Sequence, residues 1–250
     1  MNWRAVIVVV FLGVVIAWVL RSLLGWPEAE FTAEEKAMLD GLAPVLDTLA
    51  LQEEDLSSLP GHYEACEGSM DYVLDFDYES EAGEVEDVQS VEPDDRMLDE
   101  FDSSLFCNWD ERTFVSPIAV LPDGKETLIY YSNIARDLAH GEGQDILEKL
   151  VEATSHDLFP EEELVDYAWL QAPVLGDTRY AWVRTVEDAE TGDQFELYRY
   201  RFNRGVVMAG LLVKLPSSST AENEALLLAK AFDDRIAAQL QSLTAEVHSR

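Results

Sequence analysis

The chain has 250 residues, of which 50 are Asp or Glu and 17 are Lys or Arg, and its formal net charge at pH 7 is −33. This charge excludes nucleic acid as a partner, because proteins bind it by neutralising phosphates with Lys and Arg. A hydrophobic content of 48% predicts a packed core, and the length allows one ordinary domain beyond a short N-terminal segment.

Residues 1–26 are predicted to form a membrane anchor. An unbroken apolar run extends from Ala5 to Leu20, and Leu24 prolongs it beyond Arg21. About 20 helical residues cross a hydrocarbon core ~30 Å thick, and the long side chain of Arg21 can reach toward the headgroups. The pattern therefore predicts one transmembrane helix.

A cleaved signal peptide is the alternative interpretation of this segment. Its apolar core would be about 7–15 residues long and followed by a small-residue cleavage site, which Pro27-Glu28-Ala29 matches poorly. Arg4 and the terminal amine precede the apolar run, so the positive-inside tendency places the N terminus in the cytoplasm. We therefore expect a single-pass protein of the cell membrane whose main domain is extracytoplasmic.

Residues 27–58 are predicted to form a helical stalk or a helix packed on the domain. Thr32-Ala33-Glu34-Glu35 is a capping-box pattern, so a helix should begin near Ala33. Gly41 and Pro44 predict a bend in its middle. The apolar residues that recur at helical spacing are Met38, Leu39, Leu42, Val45, Leu46 and Leu49.

Residues 59–250 are predicted to form the extracytoplasmic domain. Its first half begins with a turn at Leu59-Pro60-Gly61, an alternating strand over Met70–Tyr78 and an acidic loop over 79–102. Two strands follow, over Thr113–Leu121 and Thr127–Tyr131, joined by a Pro122-Asp123-Gly124 turn. A helix is predicted over Asp145–Ala153. The second half shows a strand over Leu164–Leu170, a hairpin of Arg179–Val186 with Gln194–Phe202, a strand over Val206–Leu215 and a helix opened by Ser219-Thr220-Ala221-Glu222.

Hairpins followed by helices predict the α+β class, with an antiparallel sheet covered by helices on one face. The last helix carries an apolar stripe made of Ala225, Leu228, Ala229, Phe232, Ile236 and Leu240. Aromatic residues of the strands either line a binding groove or form the core, and strand spacing favours the core. They are Trp109, Trp169, Trp182, Tyr180 and Tyr198.

Short motifs in this chain resemble those of anchored extracytoplasmic domains of microbes. They are Glu54-Asp55-Leu56, Leu59-Pro60-Gly61, Arg204-Gly205-Val206-Val207 and Ala229–Ala237. The fold of such domains is similar to the PsbP-like and mycobacterial kinase-sensor domains, and many of them are lipoproteins with no assigned activity. The resemblance implies an antiparallel sheet backed by helices over Leu51–Leu240, outside the cytoplasm. It implies no functional residue, and the membrane helix replaces the lipobox cysteine.

Cys66 and Cys107 are the two cysteines of the chain. An even pair in an exported domain predicts one disulfide, because such bonds persist in oxidising compartments. Two buried free thiols are the alternative. A redox site is not expected, since the two cysteines do not form a C-x-x-C motif.

Arginines concentrate in and beside the predicted hairpin, at Arg179, Arg184, Arg199, Arg201 and Arg204. Arg199 and Arg201 share one strand face, because side chains alternate along a strand. Guanidinium groups suit carboxylate and phosphate ligands, so Arg199, Arg201 and Arg204 are the candidate contact for an anion or a partner. The favoured alternative is cross-strand pairing with local acids such as Glu187 and Glu196.

Catalytic, cofactor and metal motifs are not found in the sequence. The histidines are scattered, at His62, His140, His156 and His248. The acids of 75–81 lack the glycine of a calcium loop, and those of 92–100 are better explained by a solvated acidic loop than by a divalent-cation site. We expect no cofactor and no partner beyond the membrane, non-specific cations and an unidentified protein or small-molecule ligand.

The sequence thus predicts a non-enzymatic, membrane-anchored domain that binds or senses a ligand or contacts a partner. A carboxylate-based envelope hydrolase and a structural subunit of a membrane complex are the alternatives. Surfaces rich in acids and poor in lysine resemble those of proteins from salt-loving microbes, where a Debye length of about 3 Å at 1 M salt removes most self-repulsion.

Overall fold

A computed structural model of the chain describes residues 30–59, 62–66, 105–139, 147–148, 151, 162–171 and 174–249. The predicted membrane segment, the predicted strand Met70–Tyr78 and the acidic loop after it lie outside these residues. Within the described ranges, no helix combines the length and the apolar character that crossing a bilayer requires.

In the described residues, seven antiparallel strands form one sheet in the order β1-β2-β3-β7-β6-β5-β4. They are β1 (Glu64–Ala65), β2 (Phe106–Asn108), β3 (Thr113–Val120), β4 (Glu162–Trp169), β5 (Thr178–Asp188), β6 (Gln194–Arg204) and β7 (Val207–Pro216). The predicted hairpin is β5–β6, and Gly205, with φ 56°, turns β6 into β7. The predicted antiparallel α+β architecture is confirmed.

The N-terminal helical segment packs on the domain. Its capping box is present, since the Glu35 amide donates to Thr32 Oγ1 at 3.2 Å and the Thr32 amide donates to Glu35 Oε2 at 2.6 Å. The helix α1 (Ala33–Leu42) then tightens into a 3-10 helix (Ala43–Leu49) where Pro44 enters its first turn. The helix type changes at the position where Pro44 predicts a bend, and Leu42 and Leu49 are fully buried in the core.

One face of the sheet is covered by the last helix, α3 (Ala221–Ser249), together with α1, its 3-10 extension and a second 3-10 helix (Glu53–Ser58). The α3 stripe is the predicted one: Ala225, Ala229, Phe232 and Ile236 are fully buried. Phe232 meets Phe202 of β6 edge-on, with the ring centroids 5.9 Å apart. This face holds the larger part of the core.

The opposite face is covered by α2 (Lys125–Ala139), so the prediction of helices on one face only is wrong. Leu128, Ala135 and Leu138 of α2 pack against Tyr180 and Trp182 of β5. Leu147 and Val151, inside the helix predicted over 145–153, are helical and buried on the same side. The sheet is therefore an inner layer between two helical layers.

The strand predicted over Thr127–Tyr131 is part of α2, and that prediction is wrong. Its β-branched and aromatic residues favour a strand locally. However, Thr127 Oγ1 donates to Asp123 Oδ1 at 2.6 Å in the first turn. The buried positions Leu128, Ala135 and Leu138 follow the helical period, which five residues are too few to show.

Candidate functional site

The alternation of β6 divides its side chains between the two helical layers. Arg199 and Arg201 lie on the α2 side, whereas Tyr198, Tyr200 and Phe202 lie on the α3 side, as predicted. Arg199 is 3% exposed and Arg201 is 5% exposed. The two guanidinium groups are therefore in the interior of the domain.

Two more basic side chains are buried on the same side of the sheet. Arg184 of β5 and Lys214 of β7 are both register partners of Leu197, which lies between them on β6. We call Arg184, Arg199, Arg201 and Lys214 the cationic face. In a chain with a net charge of −33, four basic side chains are thus buried on one side of one sheet.

Aromatic rings hold Arg199 in place. Its guanidinium carbon lies 5.5 Å from the ring centroid of Trp182, within the range of a cation–π contact. Trp182 stacks on Tyr180 at 5.8 Å and meets Trp169 edge-on at 6.2 Å. Tyr180 and Trp182 belong to the core cluster beneath α2, Trp169 packs against it, and Tyr198 is buried on the α3 side, so the core interpretation is confirmed for these four. It is wrong for Trp109, which is 56% exposed.

Arg201 needs the glycine opposite it. Gly210 of β7 is its register partner, and a Cβ atom at Gly210 would overlap the Arg201 guanidinium. Such a Cβ atom would also lie 3.0 Å from Cγ2 of Ile118 on the neighbouring strand β3. Gly210 therefore lets the Arg201 guanidinium lie close to the backbone of β7, and it does not serve a special backbone angle.

Two buried carboxylates, those of Glu162 and Asp188, lie on the same side of the sheet as the cationic face. Lys214 Nζ donates to Glu162 Oε1, and both side chains have no solvent exposure. The ammonium also lies 4.4 Å from the ring centroid of Phe195. Asp188, which is fully buried, pairs with Arg112. Removing one partner of such a buried ion pair is strongly destabilising, because the charge that remains carries a large desolvation penalty.

The predicted pairing of Arg199 and Arg201 with Glu187 and Glu196 is wrong. Glu196 is an odd number of residues from Arg199, so it lies on the α3 side, where it accepts a hydrogen bond from Tyr198 Oη. Glu187 lies opposite Gln194 in the register, on that same side. The acids named from sequence are therefore separated from both arginines by the sheet.

Arg204 does not join the cationic face. It lies on the α3 side and binds both carboxylate oxygens of Asp233 in α3, which raises the pKa of the Arg204 guanidinium. The structure thus brings together Arg199 and Arg201 but places Arg204 on the other side of the sheet. A role of these residues as an anion or partner contact stays a prediction.

Two buried tyrosines on the α3 side are held neutral. Burial raises the pKa of Tyr198 and Tyr200 above the usual 10.0. The hydrogen bond to Glu196 raises the pKa of Tyr198 further, and the negative charge of Glu222 acts in the same direction on both hydroxyl groups. The two hydroxyl groups therefore stay protonated well beyond neutral pH.

Cys66 and Cys107 form a disulfide, with their Cα atoms 5.8 Å apart. Cys107 is on β2, and Cys66 directly follows β1. The bond therefore fastens the two shortest strands of the sheet to each other, beside the register pair Glu64 and Cys107. Because both cysteines of the chain are used, the predicted disulfide is present and neither thiol is free.

Metal ligands are not grouped in the part of the chain that the structure describes, where no three His, Cys, Asp or Glu side chains come together. The acids of 75–81 and 92–100 lie outside the described residues, as do His140 and His156. His62 is exposed, and His248 lies in the last turns of α3.

No family model matches the chain, and no curated protein and no solved structure matches it either.

Proposed function

We propose that this chain is a single-pass membrane protein whose domain lies outside the cytoplasm and binds or senses a ligand or partner without catalysing a reaction. Residues 1–26 supply the anchor in this proposal. The observation that carries it is the disulfide between Cys66 and Cys107. Disulfides of this structural kind persist in exported proteins and are rare in the cytosol.

The disulfide supports export because it lies beside an edge strand too short to be held firmly by its own ladder. β1 has two residues and makes two register pairs with β2. So short a strand contributes little ladder energy, since the ordering of its backbone opposes the few hydrogen bonds that it gains. A domain that relied on this bond would lose its edge strand in a reducing compartment.

An exposed aromatic side chain supports the binding role. Trp109, at the turn between β2 and β3, is 56% exposed, and Asp110 and Glu111 beside it are also exposed. Trp is enriched among the residues that dominate protein interfaces. The turn is held firmly, because Cys107 is bonded two residues before Trp109 and Arg112 pairs with Asp188. We propose this turn as the contact for a partner.

Labelling of intact cells with a membrane-impermeant maleimide tests the location. The variant Ser219→Cys adds a thiol at an exposed turn, and Asn2→Cys adds one before the predicted membrane helix. We expect the thiol introduced at position 219 to be labelled in intact cells without reduction, and Cys66 and Cys107 only after mild reduction. The thiol introduced at position 2 should be labelled only after lysis.

The opposite pattern would overturn the proposal. If the thiol at position 219 were labelled only after lysis, the domain would lie in the cytoplasm. Labelling of Cys66 and Cys107 in unreduced cells would show that the bond does not form there, and the argument for export would lose its main support.

For the binding role, Trp109→Ala should abolish capture of a crosslinked partner while the melting temperature stays unchanged, because the indole is exposed.

A further inference from the structure

The antiparallel register gives the sheet two distinct ends. One row across the sheet joins Val120, Met208, Asn203 and Thr178. We call the connections beyond this row, 121–125, 174–177 and 205–206, the anchor end. We call the connections at the other end of the same strands, 109–112, 189–193 and 217–220, the distal end.

The first described residues of the chain lie at the anchor end. Lys125, the first residue of α2, donates to Glu35 Oε2 at 2.8 Å and lies 6.0 Å from the ring centroid of Phe31. The hydrogen bond from Lys125 lowers the pKa of Glu35, so this contact is an ion pair at neutral pH. The chain therefore enters the domain beside the connection between β3 and α2.

The segment that links the predicted membrane helix to the domain is short compared with the length of the sheet. Nine residues, 21–29, separate the predicted membrane run from Glu30, and nine residues span at most ~30 Å when fully extended. The 11 residues of β6 separate the two ends by ~35 Å at about 3.3 Å per residue. In this proposal the anchor end therefore lies no farther than ~30 Å from the predicted membrane run, which is less than the separation of the two ends.

An exposed apolar side chain lies in one of the connections of the anchor end. Val174 is 79% exposed in the connection between β4 and β5. The residues after it are fixed, because the Gly176 amide donates to Asp233 at 3.0 Å and the Asp177 amide donates to the Asn203 carbonyl at 2.7 Å. Asp177 in turn accepts from the Gly205 amide at 2.7 Å. These hydrogen bonds fix the residues that directly follow the exposed valine.

The charge of the distal end opposes bilayer contact. Its turns carry four exposed acids, Asp110, Glu111, Glu190 and Asp193, and Arg112 there is already paired with Asp188, whereas the connections of the anchor end carry two exposed acids, Asp123 and Asp177. An anionic membrane surface repels such a group of carboxylates. An apolar side chain such as that of Val174 gains free energy when it leaves water for the interface.

We infer that the anchor end faces the bilayer, with Val174 as its contact, and that the distal end presents Trp109 away from the membrane. This inference rests on the proposed function, because it needs the predicted anchor. The bilayer contacts the anchor end, and the proposed partner contact at Trp109 stays accessible at the distal end.

Energy transfer to lipids in nanodiscs tests this orientation on the full, oxidised chain. A donor dye is attached at Val174→Cys or at Ser219→Cys, and the lipids carry a small share of acceptor headgroups. Because the two ends are ~35 Å apart, we expect at least about twofold more transfer from position 174 than from position 219. Melting temperatures of both labelled proteins check that the dyes do not disturb the fold.

The remaining outcomes separate the two proposals. Equal transfer from both positions, or more from position 219, would overturn the orientation while the anchor stands. Failure of the chain to enter nanodiscs would overturn the anchor itself, and the orientation with it. A Val174→Glu variant that enters nanodiscs with unchanged transfer from a dye at Gln171→Cys would remove the role of Val174 as the bilayer contact.

Discussion

The guanidinium of Arg201 occupies space that any side chain at Gly210 would need. Gly210→Ala should therefore lower the free energy of unfolding by about 1–3 kcal/mol, the usual range for overpacking in a filled interior. Urea unfolding in high-salt buffer measures it. Gly124→Ala is the matched control, because a Cβ atom there meets nothing within 4 Å. An equal effect of both substitutions would mean that the Gly210 site has room.

The buried pair of Lys214 and Glu162 makes a second prediction at this scale. Lys214→Met removes the cation that pairs with the buried carboxylate of Glu162, so we expect a loss of about 3–5 kcal/mol in the free energy of unfolding. The double variant Lys214→Met, Glu162→Gln removes both charges and should be more stable than Lys214→Met alone. Lys36→Met is the control, because Lys36 pairs with Glu30 at an exposed site, where such a pair contributes at most ~1 kcal/mol.

Ionisation of Tyr200 should lower the free energy of unfolding at alkaline pH. Its pKa is raised in the folded state, whereas in the unfolded chain it ionises near 10.0. Its contribution to stability is complete below pH 10.0 and is lost above it, with a slope of up to ~1.4 kcal/mol per pH unit. Tyr200→Phe should therefore flatten the fall in unfolding free energy between about pH 9 and 11.5. A fall of the same slope in both proteins would contradict this.

The sequence was sufficient to place Arg199 and Arg201 on one face, since a strand alternates with a strict period of two. It was not sufficient to show that this face is buried. Because residues 127–131 of α2 have strand propensity, the sequence does not predict the helical layer on this side of the sheet, and it pairs the arginines with local acids instead. The separation of Arg204 follows from the same alternation, because it is an odd number of residues from both.

The disulfide is the element-scale counterpart of these contacts, because it fastens β1 to β2. Reduction, or Cys66→Ala with Cys107→Ala, should lower the free energy of unfolding by about 4 kcal/mol in the chain-entropy description of a loop this long. Urea unfolding with and without reductant measures it, and reductant should have no effect on the double variant. Equal stability of oxidised and reduced wild type would contradict the dependence of the edge on this bond.

Elements with complete local signals were predictable. The capping box at Thr32, the hairpin of Arg179–Val186 with Gln194–Phe202 and the α3 stripe each show a start pattern or a regular period, and all three are present. Elements with a partial signal were not. The short window over 127–131 carried strand propensity without the helical period that only the full length of α2 reveals. The strand pair β1–β2 is too short to show any period.

Charge acts on the whole molecule. A net charge of −33 opposes compaction, and the few buried pairs cannot offset repulsion spread over the surface. Between about 0.1 M and 2 M NaCl the Debye length falls from about 10 Å to below 3 Å, so we expect the melting temperature to rise steeply over this range. Thermal unfolding followed by circular dichroism measures it.

A screening effect must be separated from general exclusion of solutes from the protein surface. Sucrose stabilises by exclusion but does not screen charge, so at matched water activity it should raise the melting temperature less than NaCl does. Calcium at millimolar concentration in high salt should add nothing if the acids bind cations only non-specifically. Equal stabilisation by sucrose and NaCl would show that repulsion is already relieved at low salt, and salt adaptation would no longer explain the acidic surface.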